Sequence, residues 1–121
     1  MAVSLEMITV DTTDPVPLAN WWSEQIGGSI LAENEGFFVM VSAGVGKPLL
    51  AFQKVDDPTP GKNRLHLDMS TDDLAAEVDR LVAAGATKVA ERAMPGLEWV
   101  TLADPDGNQF CVSGARTAPE S

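Results

Sequence analysis

Twice along this chain a helix-periodic stretch stops at a glycine and gives way to a short strand, a loop, a strand, a turn and a last strand. The second copy is the clearer one. Leu65 to Ala86 reads LHLDMSTDDLAAEVDRLVAAGA. Leu65, Leu67 and Met69 alternate there with His66, Asp68 and Ser70, the period-two pattern of a strand with one apolar face. Thr71 or Asp72 can cap a following helix, because their short oxygens reach backbone N–H groups left free in the first turn. Leu74, Val78, Leu81 and Val82 then recur at helical spacing, with Asp73, Glu77, Asp79 and Arg80 mostly opposite. Gly85 ends the helix, since positive φ is cheap only for glycine.

The first copy follows the same plan. Leu5 to Val10 reads as a strand, Asp11 to Pro17 as a turn-rich link, and Leu18 to Ile26 as a helix with Leu18, Trp22 and Ile26 on one stripe. Pro15 or Pro17 suits its first turn, and Gly27-Gly28 its stop. Ser29 to Ala32, Phe37 to Ser42 and Leu49 to Val55 read as strands, with a turn at Asn34-Glu35-Gly36. After the second helix, Thr87 to Glu91, Trp99 to Leu102 and Gln109 to Ser113 are the matching strands. A turn spans Ala93 to Gly96, and a tight one the DPDGN of 104–108. Gly28 corresponds to Gly85, and Gln53 to Ser113. The result is an internal repeat of β-α-β-β-β. The expected fold class is α+β, a single domain over 1–121 built of two such modules, about 4–56 and 64–114. The breaker-rich DDPTPGKN of 56–63 lies between them, and a frayed tail follows from Ala115. One helix for each four strands leaves a second sheet face to be buried or to stand as a concave, ligand-binding surface.

A chain of 121 residues with 45% hydrophobic content is long enough for one real core. Its 8 basic and 18 acidic residues give a formal charge of −10. Nucleic acid and anionic membrane surfaces would be repelled, so neither is expected as a partner. One cysteine excludes an internal disulfide and a multi-thiolate metal site. With no apolar run of spanning length and no basic-then-apolar start, a cytoplasmic location is expected.

LHLDMSTDDLAAEVDRLVAAGATKV, then WVTLADPDGNQFCV, and more weakly DPVPLANWWSEQIGG make the chain resemble the glyoxalase, bleomycin-resistance and extradiol-dioxygenase superfamily, the vicinal oxygen chelate proteins. Within it the chain is similar to the glyoxalase-like domain branch, over roughly Leu5 to Val112. The resemblance implies two tandem modules forming a curved mixed sheet around a cleft. It also implies that metal-using members place ligands on the first, fourth, fifth and eighth strands, typically His or Gln, Glu, His, and Glu. Those places fall here on Leu5, Ala51, His66 and Cys111, or on Glu6 for the first if the register slips by one. Two alkyl groups among four places fail the donor count a divalent ion needs, so no metal and no other cofactor is expected.

The expected ligand site takes its apolar lining from Met7, Phe37, Val39 and Trp99, and its polar points from Gln53, His66, Asp68 and Thr101, with Cys111 beside them. His66 would serve as acid/base or hydrogen-bonding group and Asp68 would orient its ring, or the two simply satisfy each other. Cys111 reads as an inert small hydrophobe, Trp22 as core, and Arg92 and Lys88 as solvated groups. The function expected is binding of an apolar or aromatic small molecule. The alternative is a metal-independent lyase or isomerase using His66, ahead of a metal-dependent glyoxalase or dioxygenase. A homodimer is expected, because uncovered sheet needs cover.

Overall fold

The computed structural model describes Ala2 and residues 4–114, so the expected frayed tail lies outside the described residues. The described chain divides into two units, 1–59 and 60–121. Each carries one four-stranded mixed sheet and one α-helix.

In the first unit β1 (Met7–Thr12) leads into α1 (Pro15–Ile26), followed by β2 (Ser29–Ala32), β3 (Phe38–Ser42) and β4 (Leu49–Lys54). The sheet order is β1-β4-β3-β2, with β1 parallel to β4 and the other pairs antiparallel. Strand β1 starts two residues later than the sequence suggests, leaving Leu5 outside it and 72% exposed. Helix α1 starts three residues earlier, because Pro15 occupies the first turn, where a missing N–H costs nothing.

The stop is shared between two glycines for two reasons. Gly27 takes the left-handed conformation at φ 64°. Gly28 lies so close to β3 that a Cβ there would come within 2.2 Å of the Ser42 carbonyl oxygen. One glycine turns the chain and the other lets two backbones meet.

The second unit repeats the order with β5 (Asp68–Ser70), α2 (Leu74–Ala83), β6 (Thr87–Met94), β7 (Leu97–Ala103) and β8 (Gln109–Ser113), arranged β5-β8-β7-β6. Asp73, rather than Thr71 or Asp72, caps α2, accepting a hydrogen bond from the Ala76 N–H at 3.2 Å. Thr71 works one step earlier, its hydroxyl accepting from the Asp73 N–H at 3.4 Å. Gly85 follows the helix at φ 116°. Strand β6 runs on to Met94, so the expected four-residue turn shrinks to Pro95-Gly96.

Strand β5 is the largest departure from the sequence pattern. Only three of the six alternating residues are in it, and Leu65 is 83% exposed. The cause is Asn63. Its side-chain oxygen accepts from the Gln109 N–H at 2.8 Å, and its amide donates to the Gln109 carbonyl at 3.1 Å and also to the Leu65 carbonyl. A side chain thus occupies the ladder position that an earlier start of β5 would need. Backbone pairing begins only where the Cys111 N–H reaches the Leu67 carbonyl.

Each sheet has one face under its own helix, here called the near face. In the first unit Val39, Val41, Leu50 and Phe52 are buried there with Leu18, Ala19 and Trp22 of α1. In the second, Val100, Leu102, Phe110 and Val112 are buried with Val78 and Leu81 of α2. These alternations follow the pleat, in which every second residue turns to the same side. Between the last two strands, the buried Asp104 carboxylate accepts from the N–H groups of Asp106 and Asn108, both at 2.9 Å, and so ties the DPDGN turn. Among the described residues no helix is long and apolar enough to cross a membrane.

Candidate functional site

The far face of the second sheet is built by register. Asp68 pairs with Cys111, Cys111 with Thr101, and Thr101 with Ala90, forming one row across four strands. The next row is Ser70, Ser113, Trp99 and Arg92. Directly paired side chains point to the same side of a sheet, so both rows stand on the face away from α2. All of these but Ser70 line a depression of about 520 Å³, to which His66, Lys62, Gln109 and Leu97 also contribute.

His66 precedes β5, outside the ladder, and turns back toward it. Its Nδ1 lies 3.2 Å from Asp68 Oδ1, with the two side chains 48% and 69% exposed. A proton on Nδ1 satisfies this contact whatever the charge of the ring, leaving Nε2 to face a ligand. Cys111 is half-buried in the same row, its Sγ 3.4 Å from the Thr101 hydroxyl oxygen.

His66, Asp68 and Cys111 each offer one donor atom, and the three atoms lie within 4.8 Å of one another. The expected site already put Cys111 beside His66 and Asp68, though not as the direct partner of Asp68 across two strands. The parallel register of β5 with β8 brings them together. The family's four-ligand set is nevertheless not reproduced. Leu5 lies outside β1, and Ala51 presents a methyl group, so two of its four places have no donor.

Five of the expected site residues, His66, Asp68, Trp99, Thr101 and Cys111, line this one depression. The first-unit residues divide differently. Met7, Thr9 and Asp11 pair with Leu49, Ala51 and Gln53, which puts Met7 and Gln53 on the far face of the first sheet, in the odd-numbered register favoured for β1. Val39 is a correction. It pairs with Phe52 and is 1% exposed, so it belongs to the near-face core, and Phe38 and Met40 take the other side. The apolar run FFVMVS reads equally well in either phase, and that is why its register was misassigned. Phe37 precedes β3 and is 57% exposed, with the Lys54 ammonium 5.4 Å from its ring centre.

Arg92, read from the sequence as a solvated group, is exposed, and it also lines the depression beside Trp99. Its one available signal was its place seven residues before Trp99, across a turn: a two-residue hairpin at Pro95-Gly96 makes the two direct partners. Trp22 is core as expected, and Trp21 meets it edge-on with ring centres 5.1 Å apart.

Residues 7–113 match the family model described as a glyoxalase-like domain. Among solved structures, a glyoxalase/bleomycin resistance protein/dioxygenase family enzyme from Burkholderia phytofirmans PsJN superposes with a TM-score of 0.79 at 20% identity, covering 93% of this chain and 98% of that one. An antibiotic-binding protein from Streptomyces sp. CB03234 gives 0.71 at 23% identity, over 94% and 98% of the two chains. A lactoylglutathione lyase from Agrobacterium tumefaciens gives 0.69 at 15% identity, over 95% and 96%. Identities this low establish a shared fold. Among curated proteins none matches.

Proposed function

Because the chain belongs to the glyoxalase-like domain family, we propose that it is a small-molecule-binding protein whose ligand occupies the depression on the far face of the second sheet. The observation that carries this reading is the meeting of an imidazole–carboxylate pair, an indole, a hydroxyl and a thiol on one concave patch of about 520 Å³. That size lies within the roughly 300–1,000 Å³ usual for small-ligand sites, and a few polar groups set in an apolar lining give such sites their selectivity. A structural neighbour that binds an antibiotic is in keeping with a role as binder on this fold.

Metal takes no part in this reading. Binding is expected to survive chelation, and elemental analysis of protein purified without chelator to find no near-stoichiometric divalent ion. Loss of binding on chelation would overturn this. The chain is further proposed to form a homodimer, with equilibrium sedimentation at micromolar concentration as the measurement and a 12.8 kDa monomer as the contrary result.

The decisive experiment is a thermal-shift screen of a chemically diverse library, since a ligand that binds only the native state raises its stability by mass action. The best hit is then titrated against wild type, His66→Ala and Asp68→Asn. His66→Ala is expected to weaken binding by about 1 kcal/mol, the net value of one hydrogen bond. Identical affinities in all three proteins would make the pair structural and put the site elsewhere.

A second reading is favoured by the His66–Asp68 contact. A ring held by a carboxylate at 3.2 Å, with its other nitrogen free for a ligand, has the arrangement of a general acid/base. In that case the hit would be consumed, and His66→Ala would abolish turnover without abolishing binding.

A further inference from the structure

On the reading that the depression is the ligand site, we propose that its ligand is a planar aromatic acid. The ring lies on Trp99, the carboxylate meets Arg92, and the far end of the molecule reaches toward Thr101 and the His66–Asp68 pair.

Charge is the first argument. The chain carries −10 overall, yet the depression is lined by two cations, Lys62 and Arg92, and one carboxylate, Asp68. With His66 neutral this is a local balance of 2 − 1 = +1. Exposed charges beyond roughly 8–10 Å are largely screened at physiological salt, so the lining matters more to a bound ligand than the net charge does.

Pairing is the second argument. Lys88, on the same strand, is joined to Glu91. Among the described residues Arg92 has no acidic partner, and Glu91 and Glu98, the nearest acids in register, stand on the near face with Val100 rather than beside it. Its guanidinium is a planar fork suited to holding a carboxylate through two parallel N–H donors.

Register is the third argument. Arg92 and Trp99 are direct partners across β6 and β7, so their Cβ atoms stand about 4.5–5.5 Å apart on the same face. An acid joined directly to a ring can therefore stack on the indole while its carboxylate reaches the fork. Asp68 lies three strands away, about 14 Å at a spacing of about 4.8 Å. That span admits a two-ring molecule with its acid at the β6 end and its hydrogen-bonding end near His66. A cationic ligand in the same pose would meet Arg92 head-on.

The test uses naphthoate, naphthamide and naphthylmethylamine, which share one ring system and differ in charge, titrated by calorimetry or by NMR shifts of the Trp99 indole N–H. Naphthoate is expected to bind roughly tenfold tighter than naphthamide, the effect of one charge-assisted contact, and the amine weakest. Arg92→Gln should bring naphthoate down to the affinity of naphthamide and leave naphthamide unchanged, while Arg92→Lys keeps part of the preference. Trp99→Leu should weaken naphthoate and naphthamide together. Equal affinities in wild type, a preference for the amine, or a naphthoate preference that survives Arg92→Gln would each overturn the proposal. Failure of all three probes to bind would overturn it as well. The broader reading has its own test, because the diverse screen is not confined to aromatic compounds.

Discussion

The two sheets have the same strand order and the same one-helix cover, but they spend their residues differently. The near faces are nearly interchangeable, with Val39, Val41, Leu50 and Phe52 in one and Val100, Leu102, Phe110 and Val112 in the other. The far faces share almost nothing. The first carries Met7, Thr9, Met40, Ala51 and Gln53; the second carries Asp68, Trp99, Thr101, Cys111 and Arg92. A face sealed under a helix must be filled to close-packed density, and that requirement selects the same few branched and aromatic side chains each time. The far faces diverge, and among the described residues it is the second that carries Cys111 and Arg92, with His66 beside it.

The helices differ in the same sense, and that difference can be tested hardest. Helix α1 is 12 residues long and buries Pro15, Leu18, Ala19, Trp22 and Ser23, whereas α2 has 10 and buries Val78 and Leu81. Trp22→Ala is expected to cost about 3–5 kcal/mol in denaturant unfolding, and Leu81→Ala about 2–3 kcal/mol. Equal losses would mean that α2 is anchored as deeply as α1.

A smaller effect separates two glycines. At Gly28 a new Cβ would collide with backbone, so Gly28→Ala should lose about 2–3 kcal/mol. Gly107, in the DPDGN turn, has φ 90° with open space where a Cβ would go. Gly107→Val should therefore lose only the strain of a left-handed residue, about 1–2 kcal/mol, and leave binding in the depression intact. A reversed order of the two would sink the distinction between crowding and strain.

The smallest effect lies at the helix starts. Asp73 accepts a capping hydrogen bond, while Asp14, at the same place before α1, makes no side-chain cap. Asp73→Ala should cost about 1 kcal/mol and Asp14→Ala a few tenths, read as shifts in the denaturation midpoint.

The βαβββ repeat was legible in the sequence because its signals are local. Glycines stop helices, and polar–apolar alternation marks strands. In LEWVTL the phase put Trp99 and Thr101 on the far side, whereas the strict alternation of LHLDMS did not carry Leu65 into the core, and it is 83% exposed. The phase failed in FFVMVS, where every residue is apolar or small enough for either face, and Val39 was turned the wrong way. Which residues share the depression was legible from alternation and from the resemblance, but which of them stand directly opposite one another was not. His66 with Asp68 is a matter of spacing two apart. Asp68 with Cys111 and Trp99 with Arg92 depend on which residues face one another in a ladder, and one slipped residue would undo either pair.

Asn63 has a consequence beyond the shortened strand it explains. By closing the ladder with its own amide, it leaves residues 64–67 as a suspended span, clamped at one end by a side chain and at the other by the first rung of β5. Such a span can gain or lose a residue at little entropic cost, and the rest of the sheet need not re-register. His66 hangs from it. The position of the one imidazole in the chain can therefore change with residues 64–66 while the first rung at Leu67 and the strands behind it stay in register.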